Sequence, residues 1–145
     1  MFDQHARRRA KEAVLELRRR FGDQFARYEA GGVCLEPGWI RVLERLLERV
    51  REVDVVRRIG FSWLRIEEKY GELRLDWAVD CDRQAQGGAH NLVAAITAAV
   101  ERAECESADT CQLCSNSGAP DDYNGWVMTV CDTHRALRRT AANDA

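Results

Sequence analysis

No apolar run in this chain is long enough to cross a bilayer. The longest, Leu92 to Val100, falls far short of the roughly 20 residues a spanning helix needs. No signal-type apolar segment follows Arg7-Arg8-Arg9 near the N-terminus. The expectation is therefore a cytoplasmic chain with no membrane partner. An excess of charge of one sign is missing too. The formal net charge is −2, so nothing in bulk draws the protein to nucleic acid or to an anionic surface. Repeats and low-complexity segments are absent. So are a Gly-rich phosphate loop, a G-x-S-x-G elbow and a plausible Ser/His/Asp order.

What remains is a chain of 145 residues, 46% hydrophobic and 32% charged, the composition of one soluble globular domain. The charge is unevenly spread. Residues 1–60 carry 14 Lys and Arg against 10 Asp and Glu, whereas residues 61–110 carry 5 against 10. Compensation within the fold is the simplest account. The Arg-rich start, with Arg18, Arg19 and Arg20, is the candidate nucleic-acid contact if there is one.

The spacing predicts a first helix from His5 to Tyr28, with Ala10, Ala13, Val14, Leu17, Phe21, Phe25 and Tyr28 on one stripe. Gly22 is a point where it bends or breaks, and Gly31-Gly32 ends it. Pro37 opens a second helix that buries Trp39, Ile40, Leu43, Leu46, Leu47 and Val50 and runs to Val53. Val55 to Tyr70 and Glu72 to Val79 are rich in aromatic and β-branched residues. Leu73, Leu75, Trp77 and Val79 alternate with Arg74, Asp76 and Ala78, the period of a half-buried strand. An antiparallel hairpin of Phe61–Lys69 with Glu72–Val79 follows, turning at Tyr70-Gly71. Phe61 and Trp63 share one face of it, and Leu64 and Ile66 the other. A patch of Phe61 and Trp63, if exposed, is a partner site. Cys81 to Gly88 is a polar loop. A third helix spans Ala89 to Cys105.

Six cysteines invite a disulfide reading, but nothing directs export, and their spacing is uneven. Cys111-x-x-Cys114 is followed, after 16 residues, by Cys131-x-x-His134. Each short turn lets two ligands converge, and two turns complete the tetrahedron that zinc prefers. Ser115 to Asn124 looks turn-forming. Gly125 to Val130 reads as a strand delivering Cys131, and a helix follows from Asp132, whose charge suits its N-terminus. Knuckle, strand and helix make a treble-clef-like arrangement holding one structural Zn2+. A redox dithiol at Cys111 and Cys114 lacks the preceding strand of a thioredoxin-like setting. Cys105 is the rival ligand, expected instead to pack as a small hydrophobe. His5 and His90 are read as surface residues, and Cys34 and Cys81 as buried or loop thiols. No histidine lies between Cys114 and Cys131, which disfavours a nuclease of treble-clef type. The carboxylates Glu67, Glu68, Glu72 and Asp76 read as a solvated hairpin face more readily than as an acid–base pair.

Several of these motifs occur together: Gly38-Trp39-Ile40-x-x-Leu43, Lys69-Tyr70-Gly71-Glu72-Leu73-Arg74, Ala103-Glu104-x-x-Ser107, Cys111-x-x-Cys114, Gly125-Trp126 and Cys131-x-x-His134. In this order they resemble a family of small bacterial and phage proteins over roughly Tyr28 to His134. The resemblance implies a zinc module and a phage or prophage setting, and it supplies no reaction. Residues before Phe21 lie outside it. Within the hairpin block, Gly71 suits a tight turn, and Lys69, Tyr70 and Arg74 are the candidate display toward an anionic partner.

The expected fold is α+β: two N-terminal helices, an antiparallel hairpin or small sheet, a third helix and a C-terminal zinc module. The division is a core over residues 1–109, a zinc-binding module over 110–140 and a frayed tail over 141–145. The expected function is non-enzymatic protein–protein contact, in the manner of a phage or mobile-element factor that binds a host or defence component. A nucleic-acid-binding zinc protein is the alternative and a nuclease-like hydrolase the third. A homo-oligomer stays open.

Overall fold

The computed structural model describes residues 3–29, 31–80 and 89–143. The expected loop Cys81 to Gly88 lies outside the described residues. Helices combine with two separate two-stranded antiparallel sheets. Among the described residues no helix is long and apolar enough to cross a membrane.

Helix α1 spans Gln4–Arg20. Asp3 caps it, its Oδ1 accepting from the backbone N–H of His5 at 2.9 Å. The helix stops eight residues before Tyr28, and a 3-10 turn, Gly22–Phe25, takes over. Gly22 weakens the helix here, and the tighter turn swings Gln24 into the core. Its Nε2 donates to the Leu47 carbonyl at 2.9 Å, and its Oε1 accepts from Trp63 Nε1 at 3.0 Å. A buried amide is tolerable only when satisfied in this way.

A short 3-10 turn, Pro37–Trp39, leads into α2, Ile40–Val53. Val42, Leu43, Leu46, Leu47 and Val50 form its buried stripe. Asp54 then enters the left-handed region, φ 52°, and one more helical segment, α3, covers Val55–Ile59. The strand-like composition after Asp54 misleads at this point. Val55 and Ile59 stand four apart, so a single helical turn buries both and leaves Arg57 exposed, whereas an alternating strand would turn Arg57 inward with them.

Strand β1, Ser62–Lys69, pairs with β2, Glu72–Ala78. The register runs from Lys69 opposite Glu72 to Ser62 opposite Ala78, with a shift between Trp63 and Arg65. Leu64 is the extra residue of this β-bulge. The bulge returns Trp63 to the face that carries Ile66, so both are buried and Leu64 points out. Phe61 and Trp63, 1% and 0% exposed, therefore form no surface patch. Their rings meet edge to face at 5.0 Å, with Trp77 beside Phe61 at 5.8 Å. Expectation is corrected here: these two aromatics are core.

Helix α4, Ala89–Ala108, lies against α2 and β2. Ile96, Ala99, Val100 and Ala103 are its buried line. Near its end Ser107 Oγ accepts from the Leu73 N–H at 3.2 Å and donates to the Glu104 carbonyl at 2.7 Å. Glu106 receives Arg45 and Arg49 of α2 at 3.1 and 3.0 Å, and Arg102 at 3.3 Å. One cluster of buried apolar side chains runs from Val14 to Ala103, uniting the helices and the hairpin. Cys111, Met128 and Val130 form a second, much smaller cluster.

Candidate metal centre

The C-terminal part is built from a knuckle, a hairpin and a helix. In the knuckle, the Ser115 N–H donates to the Cys111 carbonyl at 3.0 Å, and the Cys111 N–H to the Asn116 carbonyl at 2.7 Å. Strands β3, Ala119–Tyr123, and β4, Trp126–Val130, pair from Tyr123–Trp126 to Ala119–Val130. Helix α5, Asp132–Asn143, starts directly after Cys131. The Arg135 N–H donates to the Cys131 carbonyl at 2.9 Å, so Cys131 sits at the helix entrance and His134 in its first turn.

Strand β3 differs from expectation, since Ser115 to Asn124 reads as turn-forming. Its polar sequence, Ala-Pro-Asp-Asp-Tyr, hides the pairing. The legible signal is Asn124-Gly125, with φ of 54° and 80°, the two-residue turn that closes hairpins of this twist.

These elements bring four donors together. Cys114 Sγ lies 3.7 Å from Cys131 Sγ, and His134 Nδ1 lies 3.2 Å from Cys131 Sγ and 3.5 Å from Cys111 Sγ. All four ligand atoms fall within 4.8 Å of one another. That is compatible with a single metal-ion site, and it is the one such group among the described residues. The ring nitrogen facing the cluster is Nδ1. As residues, Cys111 is buried, and Cys114, Cys131 and His134 are half-buried.

The electrostatics are those of crowded thiols. Burial pushes the Cys114 thiol up to about 11; the Asn116 N–H opposes this, and Cys111 and Cys131 add to it. Burial also acts to raise Cys131, but the backbone N–H and ring of His134, with the other two thiols, outweigh it and bring Cys131 down to about 7. A cation at the centre would relieve the crowding by deprotonating the thiols outright.

The module is tied to the larger core by hydrogen bonds that all end on backbone carbonyls. The Gly38 N–H donates to the Gln112 carbonyl at 2.6 Å, and Trp39 Nε1 to the Thr110 carbonyl at 3.0 Å. Ser115 Oγ donates back to the Gly38 carbonyl at 2.9 Å. On the hairpin side, Thr129 Oγ1 donates to the Gly71 carbonyl at 2.6 Å. Gly71 has φ 76° in the turn, and an added Cβ would lie 3.1 Å from the Met128 backbone. The turn glycine is therefore fixed twice, by its conformation and by its neighbour.

A second device escapes sequence reasoning. Asp121, 7% exposed, accepts from Arg138 at 2.6 Å and from Arg139 at 2.8 Å, with Arg135 at 3.5 Å. Arg138 also donates to the carbonyls of Asp121 and Trp126. This clamp pins α5 to the β3–β4 hairpin. The Arg139 hydrogen bond lowers the Asp121 pKa most; burial opposes it, and Arg138 reinforces it. Asp121→Asn should cost about 2 kcal/mol at neutral pH, because charged hydrogen bonds are lost around a buried guanidinium. A carboxylate with a depressed folded pKa stabilises fully above its unfolded value of about 4, and loses that contribution as pH falls through its folded value. The difference between wild type and variant in urea titrations should thus narrow below about pH 4. A constant difference would show that the charge is irrelevant.

The other candidate residues are scattered. Lys69, Tyr70 and Arg74 are exposed around the first hairpin, with Arg74 paired to Glu72 at 3.1 Å. Arg65 pairs with Glu67 and Asp76, and Glu68 accepts from the Gly71 N–H at 2.8 Å. Arg18 stacks on Tyr28, Arg19 pairs with Glu16, and Arg20 pairs with Glu44 over the Phe21 ring. Each of the three arginines is engaged within the fold. His5, His90, Cys34 and Cys105 are exposed. Cys105 is thus not packed as a hydrophobe: on α4 the inward positions fall at Ala103 and Ser107, which leaves Cys105 facing out. No family model, curated protein or solved structure matches the chain.

Proposed function

We propose that this chain is a non-enzymatic binding protein of the cytoplasm whose C-terminal module is a treble clef held by one structural zinc ion. The observation that carries the zinc assignment is the spacing of the four donors. Tetrahedral zinc with Zn–S bonds of about 2.3 Å and a Zn–N bond of about 2.0 Å has S–S edges of roughly 3.8 Å and S–N edges of roughly 3.5 Å. The separations of 3.7 Å for Cys114–Cys131 and 3.5 Å for Cys111–His134 match those edges, and Cys131–His134 at 3.2 Å falls a little inside. Three thiols and an imidazole are the donor chemistry of zinc. Four protein ligands leave no open position for substrate or water, so the ion supplies stability and no Lewis-acid step.

Protein contact is favoured over nucleic acid because Arg18, Arg19 and Arg20 already have intramolecular partners. In the setting the resemblance implies, the partner is a host or defence component met by a phage or mobile-element factor. Affinity purification of the tagged protein, with elemental analysis of the same preparation, tests the proposal. About one zinc per chain and a stoichiometric protein partner retained at high salt are expected. Recovery of nucleic acid that dissociates steeply with salt would replace protein contact with phosphate contact.

A further inference from the structure

A cleft opens where four parts of the chain meet: the start of α1, the link Cys34–Glu36, the end of β1 at Glu68, and the metal module. Leu35 and Met128 give it an apolar floor, and both are buried. Trp126 forms one wall and is 64% exposed. The alternation of β4 puts Trp126 on the same face as Met128 and Val130, so its indole continues the inward face of the strand beyond the end of the small core. The Trp126 backbone is held from behind, because its carbonyl accepts from the buried Arg138. An exposed indole on a pinned backbone is a preorganised anchor.

The polar groups narrow the ligand class. Gln112 lines the cleft and is 1% exposed as a residue. Its Oε1 accepts from the Thr129 N–H at 2.8 Å, which leaves its amide nitrogen without a hydrogen-bond partner among the described residues. A free amide N–H on a cleft wall can donate to a carbonyl or carboxylate oxygen of whatever enters. Two cations, Arg7 and Lys11, and two carboxylates, Glu36 and Glu68, also line the cleft. Arg7 is bound to Glu36 at 3.1 Å, whereas Lys11 has no ion-pair partner among the described residues. The balanced charge repels a polyphosphate or nucleic acid as much as it attracts one. It suits a neutral chain of amides bearing an apolar side chain and a single carboxylate.

We infer that this cleft binds a short peptide segment of a partner protein. A bulky apolar side chain seats between Trp126 and the floor, a main-chain carbonyl meets the Gln112 amide, and an acidic residue meets Lys11. The inference rests on the protein-binding proposal and gives it a site. It is tested by probing an array of short random peptides with the zinc-loaded protein and titrating the bound ones by fluorescence anisotropy. Bound peptides should pair a bulky apolar residue with an acidic one. Trp126→Ala should weaken them by about tenfold or more, and Lys11→Glu should turn the preference toward basic residues. Both side chains are exposed, and unchanged zinc content and melting would show each variant folded. Absence of any peptide bound more tightly than about 1 mM, or equal affinity in wild type and Trp126→Ala, would overturn the assignment. A partner that co-purifies equally with wild type and Trp126→Ala would overturn the cleft while leaving protein contact standing.

Discussion

Cys111→Ser and His134→Ala should each reduce bound zinc from about one per chain to a small fraction of that. Removing one of four donors breaks a closed coordination shell, and the remaining thiols are too crowded to hold the hairpin by themselves. Chelation should act in the same way. The module's own buried cluster is Cys111, Met128 and Val130, far too small to fold a segment of this length without a staple. The proposed zinc would therefore contribute several kcal/mol locally. The larger core draws on none of these residues, so limited proteolysis after chelation should cut between Leu113 and Arg139 first. The helices and the β1–β2 hairpin should stay protected. Loss of all protection in one step would mean that metal and main core form a single cooperative unit. Undiminished zinc in both variants would remove the ligand assignment.

Gly38→Ala should be the most damaging glycine-to-alanine change among the described residues. A Cβ at Gly38 would lie 2.0 Å from the Cys111 carbonyl oxygen and 2.6 Å from the Gln112 carbonyl carbon. Both are backbone atoms of the knuckle, so no side chain can rotate away. Relief requires the knuckle to lift off, giving up the Gly38–Gln112 bond at 2.6 Å and the Trp39–Thr110 bond at 3.0 Å. The indole N–H of a fully buried Trp39 would then be unsatisfied. Overpacking of this kind costs about 3 kcal/mol or more, measured by urea denaturation. Zinc affinity should fall with it, since a displaced Cys111 no longer meets His134. A variant as stable as wild type would mean that the two parts are held together elsewhere.

What was legible in the sequence follows from how local each signal is. The four donors were readable because two C-x-x pairs carry their geometry within a few residues. Helix α2 and the Tyr70-Gly71 hairpin were readable for the same reason, one through an apolar stripe and the other through a turn. Three features were not, and each depends on distant partners. The bulge at Leu64 changes which face Trp63 occupies, and nothing within β1 announces it. The 3-10 turn after Gly22 is favoured because Gln24 finds Leu47 and Trp63 across the core. Strand β3 looks like a loop because its inward residue is Asp121, and an acid at a buried strand position makes sense only once Arg138 and Arg139 are placed. The Gly38-Trp39 and Lys69-to-Arg74 motifs were visible as patterns. Their physical content is that Gly38 and Gly71 are where two backbones touch.

The position of those two glycines along the chain bears on biogenesis. Synthesis runs from the N-terminus, so the helices and first hairpin leave the ribosome before Thr110 to His134 do. During that interval the Gly38 N–H, the Trp39 indole N–H and the Gly71 carbonyl have no protein partners, and the surface around them is waiting for the knuckle and β4. A nascent chain paused there, or a pool starved of metal, would present this seam to other chains. Metal supply would then set how much of the newly made protein is lost to aggregation, even though the proposed ion would touch only the last part of the fold.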